Sequence, residues 1–360
     1  MHMANRLLFT MHAGDVSAVE SNRTMEWQIA PLESQVRVNA VAHISSSLLE
    51  GICFPALRST QNADGGWGFG AGLPSAVEAT SWSLLAGTNL RAQETWREPI
   101  AAGCKFLKKT QLADGAWPCV AGQREGGWVT SLACRALLES EGVSGTVHEA
   151  LDWLCCSWPG EGGTWWRVRN RLTSQAGVVK QDHRLRGWSW TKGTSSWVEP
   201  TAYALLALRG ASGSFPSSHL VGRRQELGEA MLCNRMCPGG GWNAGNPWIY
   251  GVQGAPLVAP TAFALLALGR ASDTSLVRKC TEGSLAWLER EYEFIQSPGS
   301  LALAHLCLTA YGGNQRHLEE RLLDNYRKNE FLHNTTVFAW AALALQPIPA
   351  WIRPTRRARN

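Results

Sequence analysis

The fold that the sequence predicts is all-α: an (α/α)6 toroid of six helix pairs joined through Gly- and Trp-rich turns. Three observations predict it. An apolar run recurs almost letter for letter, Pro200–Leu208 reading PTAYALLAL and Pro260–Leu268 reading PTAFALLAL, and self-similarity on this scale marks a repeat architecture. Two kinds of helix also alternate along the chain. The segment 275–295 carries Leu276, Cys280, Trp287, Leu288 and Ile295 on one face and Arg278, Lys279, Glu282, Glu289, Arg290 and Glu293 on the other, so it covers a core and faces water. TAYALLAL and WAALALQ have no polar face and must be buried on both sides. Finally, the chain holds enough pairs to close a ring and shows no polar capping pair, which an open solenoid would need.

The elements follow in chain order. Residues 1–35 have no hydrophobic period and read as an N-terminal arm. A helix over 36–60 leads through Gln61-Asn62-Ala63-Asp64-Gly65-Gly66-Trp67 to an apolar helix over 76–88. The same sequence of events repeats with a helix over 96–110, Gln111-Leu112-Ala113-Asp114-Gly115-Ala116-Trp117 and an apolar helix over 128–140. A helix over 146–157 is followed by a long insertion, 159–196, and then by the apolar run at 200–208. The remaining pairs are 223–236 with 260–270, 275–295 with 299–311, and 316–330 with 335–345. The toroid thus spans 36–346. Residues 347–360 form a basic C-terminal tail, of which Arg353–Asn360, with four arginines, reads as a frayed, soluble end.

Composition narrows the function classes. Of 360 residues 45% are hydrophobic and 18% charged, which supplies a large core and excludes disorder. The net charge of +5 is too modest and too scattered for a nucleic-acid surface. No run approaches the roughly 18 apolar residues of a membrane span, and the first apolar run is too short for a secretory leader. The 10 cysteines then read as reduced thiols of a cytoplasmic protein. Cys155-Cys156 and Cys233 with Cys237 are the close pairs, without a second Cys/His pair at finger spacing, so no metal site is expected. Asp64 and Asp114 read as side chains bonded to their own turns.

Gln61, Gly65 and Trp67, and again Gln111, Gly115 and Trp117, spell Q-x3-G-x-W, while Trp165 and Trp242 keep the Gly two residues earlier without the Gln. Gly permits the tight turn, Trp stacks over the preceding helix end, and the Gln amide can bridge backbone groups there. This pattern, over roughly 36–345, resembles the QW repeat of the squalene–hopene cyclase and protein prenyltransferase superfamily. The thioester-domain branch with the same rhythm is set aside because Gly-Cys-Gly-Glu-Gln does not occur.

The resemblance implies where chemistry would sit. In class II terpenoid cyclases an Asp-x-Asp-Asp motif followed by Thr opens an inner helix, and its middle acid protonates an alkene. Aligned on Trp197-Val198-Glu199-Pro200-Thr201, it places Glu199 at the acid position, with Trp197 and Pro200 where acids would flank it. Glu78 holds the same repeat position in Val77-Glu78-Ala79-Thr80. The competing reading of Glu199 is a helix cap complementing the dipole. In prenyltransferases zinc is held at this helix start by an Asp-x-Cys, and Glu199-Pro200-Thr201 lacks the thiolate. His305, Cys307 and His333 are other conceivable ligands, read more simply as ordinary structural residues.

Trp188, Trp190, Trp197, Tyr203, Trp242, Trp248 and Trp340 would line an apolar lumen and stabilise carbocations through their π faces. In the insertion, His183, Arg167, Arg169, Arg184 and Arg186 could fork onto a diphosphate, with magnesium as its companion. The function implied is an atypical class II-like terpenoid cyclase or isomerase acting on an isoprenoid. A zinc-less prenyltransferase-like enzyme using a prenyl diphosphate and a non-catalytic lipid- or partner-binding barrel are the alternatives. Peripheral membrane contact and a homodimer are compatible with each.

Overall fold

The computed structural model describes residues 45–88, 94–164, 166, 168, 181–210, 218–313 and 315–355. The N-terminal arm, Arg167 and Arg169 lie outside them. The described chain is all-α. After a π-helical turn, Leu49–Cys53, come α1 (Phe54–Ser59), α2 (Val77–Gly87), α3 (Glu94–Thr110), α4 (Val129–Glu141), α5 (Gly145–Cys156) and α6 (Val198–Gly210). They continue with α7 (Ser218–Asn234), α8 (Val258–Leu268), α9 (Ser275–Glu291), α10 (Pro298–Ala310), α11 (Gln315–Asn329) and α12 (Thr335–Leu345). The strands found are the two-residue pair β1 (Trp248–Ile249) and β2 (Val252–Gln253), antiparallel with Trp248 opposite Gln253. None of the described helices is long and apolar enough to cross a membrane.

The even-numbered helices are the apolar ones, and they are buried on all sides; in α8 every residue from Pro260 to Leu268 is buried. Their high content of Ala and Leu favours helix and lets backbones approach closely. They touch in the order α2, α4, α6, α8, α10, α12, and α12 returns to α2, so the contact path closes on itself. The odd-numbered helices lie outside. From α3 on, each packs on the inner helix that precedes it in the chain, and α12, which no helix follows, is covered by α1 and the π-helical turn. The first outer element therefore completes the last pair. In α9 only Cys280, Ser284, Leu285 and Leu288 are buried, the narrow stripe expected of a covering helix; Leu276, expected on that face, is exposed in the first turn.

The inner helices run parallel. Their N-terminal ends are anchored alike: the backbone N–H of Trp67, Trp117, Trp188 and Trp242 donates to the hydroxyl of Thr80, Thr130, Thr201 and Thr261, at 2.8–3.0 Å. The indole N–H of the same four tryptophans donates to Leu57, Leu107, Leu154 and Leu232 carbonyls of the preceding outer helices, where the last turn leaves carbonyls unpaired. Gln61 and Gln111 amides bridge Gly65 O to Pro99 O and Gly115 O to Thr146 O, and so staple each turn to the next outer helix. Gly65, at φ +88°, is required twice: a Cβ there would lie 2.5 Å from Ala102 O.

At the other end the C-termini gather. Arg135 donates to Leu206 O, Arg209 to Ala267 O, Tyr311 to Leu265 O at 2.7 Å and Gln346 to Ala86 O at 3.0 Å. The frayed tail expected from sequence is corrected here up to residue 355. Trp351 and Ile352 are buried, Thr355 N donates to Gly269 O, and Arg270 donates to Ala350 and Arg353 carbonyls. Burial of the two apolar residues just before Arg353 holds the start of the tail against the helix ends.

Candidate active site

The Trp–Thr anchors fix a common register, so residues two before each threonine occupy one level at the N-terminal ends. That level holds Glu78 on α2, Trp128 at the start of α4, Glu199 on α6 and Ala259 on α8. One helical turn further in, the same faces present Trp82, Leu132, Tyr203 and Phe263. Trp82 and Phe263 lie 5.7 Å apart, Tyr203 and Phe263 4.7 Å, and Trp82 and Tyr203 6.1 Å. Trp340 of α12 joins them at 5.8 Å from Trp82 and 6.0 Å from Phe263. Rings from four inner helices thus meet one turn inside the carboxyls. Trp128 stacks on Tyr203 at 5.5 Å and meets Trp190 edge-on at 4.8 Å.

Glu78 and Glu199 are half-buried and sit beside this aromatic layer. Neither carboxyl has a hydrogen-bond partner among the described residues, so capping of its own helix is not what the geometry shows for either. Burial, with a smaller contribution from the Glu199 charge, pushes the Glu78 carboxyl up to about 7, and burial pushes the Glu199 carboxyl up to about 7. Both charges also reach Tyr203, whose phenol burial holds protonated. The helix dipole opposes this, favouring carboxylate at an N-terminus, but by only about 0.3–1 kcal/mol; desolvation wins.

Beside Glu78 opens a cavity of about 330 Å³ at the N-terminal ends of α8, α10 and α12. Ala259, Gly299 and Thr336 stand at the carboxyl level, Leu303 and Trp340 below, and Phe69 and Leu332 at the rim. The backbone at the rim is unusual: Glu330 to His333 all have φ between 49° and 56°, a left-handed turn that costs non-glycine residues energy. Asn329 and Asn334 side chains brace it by accepting from Phe331, Thr336 and Val337 N–H groups. A larger hollow of about 550 Å³ is lined by residues of α7 alone and gathers no group from another described element.

The other expected site residues fall elsewhere. Trp188 and Trp242 are buried in the turns with their indole N–H groups bonded to backbone. Trp197 pairs with Trp188 through its backbone, and Trp248 stands on β1. Trp165 lies outside the described residues, and the third turn uses Trp188. His183 does not join an anion clamp: with Arg235 and Ser196 N it holds buried Glu161, at 3.1, 3.2 and 2.9 Å. Burial alone would raise the Glu161 carboxyl, yet those three partners together hold it below its ordinary value. Arg184 is exposed and pairs with Asp182, two residues away. Arg186 covers the Trp158 ring at 4.2 Å, and Arg224 is held between the Trp158 and Trp188 rings at 3.9 Å from each. These cations tie the insertion to α7 and the turns. Asp64 and Asp114 accept from Gly66 and Ala116 N–H in their own turns. His305 is buried and driven down to about 3 by desolvation, while His333 is exposed beside Glu330. No three His, Cys, Asp or Glu among the described residues are placed to share a metal.

No family model matches the chain, and no curated protein matches it. Among solved structures, an alpha-amylase from Clostridium perfringens superposes on 83% of this chain and 96% of its own, with TM-score 0.51 and 10% identity; at that identity the likeness shows the fold alone. The apo type II terpene cyclase MstE from Scytonema covers 70% of this chain and 79% of its own at TM-score 0.35 and 15% identity. A variant of that cyclase bound to geranylgeranyl dihydroxybenzoate covers 85% and 99% at TM-score 0.37 and 14% identity. Those scores are too low to carry an argument.

Proposed function

We propose that the closed helix path is an (α/α)6 toroid and that the chain is an acid-initiated isoprenoid cyclase or isomerase, with Glu199 and Glu78 as its acid–base pair. The observation that supports this is the pair of desolvated carboxyls, each near 7, set one helical turn above a layer of aromatic rings. Two coupled carboxyls that each lie near 7 hold about one proton between them at neutral pH. In this reading Glu199 gives that proton to a carbon–carbon double bond of the substrate. The cation formed is stabilised by the π faces of Trp128, Tyr203 and Trp340. A carboxylate of the pair then removes a proton from a neighbouring carbon, leaving an isomer of the substrate and the enzyme unchanged. Trp197 and Pro200 replace the acids that flank the donor in the cyclase pattern, and Glu78 from another repeat supplies the second carboxyl.

The zinc-less prenyltransferase alternative has less support: its diphosphate clamp would rest on Arg167 and Arg169, outside the described residues, because His183, Arg184 and Arg186 have local partners. The carboxyl pair does favour a second reading, hydrolysis of a glycosidic bond, which also uses two carboxyl groups, one with raised affinity for its proton. Product analysis by mass spectrometry separates them. The protein is incubated with squalene, with C10–C20 prenyl alcohols and diphosphates, and with malto-oligosaccharides. An isomeric isoprenoid is expected, with conversion lost by about 10²- to 10⁴-fold in Glu199→Gln while the far-UV spectrum is unchanged. Conversion of malto-oligosaccharides alone, or full activity in Glu199→Gln, would refute the cyclase assignment.

A further inference from the structure

The cavity beside Glu78 contains hydrogen-bonding groups that the fold leaves unused. Thr336 is 4% exposed, lines the cavity, and its hydroxyl has no partner among the described residues. Trp340 also lines it, and its indole N–H likewise lacks a partner. Buried polar groups are almost always satisfied, by protein, by ordered water or by a bound molecule, and these two have no protein partner among the described residues. These two belong to one helix at i and i+4 and so point the same way. The N-terminal ends of α8, α10 and α12, each longer than one helical turn, open onto the same space. Charge decides the kind of ligand. The lining contains no Lys, Arg or His, and its ionisable group is the acid Glu78. An anion such as a diphosphate would meet that acid with no cation to offset it. At about 330 Å³ the space is at the small end for ligand pockets and accommodates one part of a substrate.

We infer that this cavity is a subsite for a neutral oxygen function of the substrate, a hydroxyl or a carbonyl, recognised by Thr336 and Trp340. The inference builds on the isoprenoid reading above, but hydroxyls could equally come from a sugar, and the test keeps the two sources apart. Calorimetric titration of the full chain is performed with farnesol, its hydrocarbon counterpart farnesene, farnesyl diphosphate and maltose. Farnesol should bind about fivefold tighter than farnesene, the value of one neutral hydrogen bond, and tighter than farnesyl diphosphate. Thr336→Val, which keeps the side-chain shape, should abolish the farnesol advantage without changing farnesene binding. Trp340→Phe should reduce that advantage in the same way, which guards against a folding defect in either variant. A diphosphate that binds tighter than the alcohol, or an unchanged farnesol-to-farnesene ratio in Thr336→Val, would overturn the subsite. If the ratio collapses in Thr336→Val but farnesol yields no product, the subsite stands and the cyclase reading fails. If maltose alone binds and loses affinity in Thr336→Val, the subsite stands and the isoprenoid source is wrong.

Discussion

The two ends of the inner helices are built from opposite materials. At the C-terminal end, arginines 135 and 209 meet helix carbonyls, and the buried Trp351 and Ile352 cover the space. Cations there complement the negative end of each helix dipole. At the N-terminal end, Glu78 and Glu199 are half-buried and desolvated, the Thr336 hydroxyl and Trp340 indole have no partner among the described residues, and a cavity opens beside Glu78. What distinguishes the two ends is charge and space: cations meet carbonyls under a closed cover at one, and two desolvated carboxyls stand beside a cavity at the other, which is where the proposed chemistry sits. The contrast also separates scaffold from site within a repeat: α6 and α8 share the Thr anchor and the apolar run, yet one carries Glu199 and the other Ala259.

The largest effect should come from the scaffold. Trp242 is fully buried and bonded through both of its N–H groups, so Trp242→Ala should cost about 3–5 kcal/mol of stability, read from urea denaturation. Trp351→Ala tests the closed end. Packing against Arg135 at 5.7 Å would be lost without a hydrogen bond, so a loss of about 2–4 kcal/mol is expected, with the acid–base behaviour of Glu78 and Glu199 unaltered. An altered titration would show that the two ends are not independent.

A smaller effect concerns pH. Both carboxyls bind their protons more tightly in the folded chain, where they lie near 7, than in the unfolded one, near 4.3. Their contribution to stability is complete below the unfolded value and is lost as pH rises through about 7. Melting temperature should therefore fall between about pH 5 and pH 8, and the double substitution Glu78→Gln with Glu199→Gln should flatten that slope. The Glu161 clasp acts in the opposite sense, since a depressed carboxyl loses its stabilising effect only as pH falls below the ordinary carboxylate range.

Much of this was legible in the residues. The apolar run expected at 260–270 is the helix Val258–Leu268, and that expected at 335–345 is Thr335–Leu345, because an all-apolar run of helix formers has one stable place. Glu78 and Glu199 could be paired because the repeat register puts them at one level. What was missed depends on contacts distant in sequence. Trp165 looked like the third turn tryptophan by its glycine, whereas Trp188 fills that role. The signal was present, a Thr thirteen residues after Trp67, Trp117 and Trp188 alike. The same register, read one turn further, would have picked out Trp82 and Phe263 for the aromatic layer. The cations of the insertion could not be assigned from sequence, since Glu161, Arg235 and Trp158 are distant or unremarkable neighbours until the chain folds.

The central claim is that Glu78 and Glu199 form one coupled, desolvated pair. Infrared or carbon-13 NMR titration of the carboxyls, in the intact chain and in Glu199→Gln, tests it most directly. A coupled pair requires a Glu78 transition near pH 7 that moves to lower pH once Glu199 is neutralised. A Glu78 that titrates in the ordinary carboxylate range, unmoved by Glu199→Gln, would contradict it.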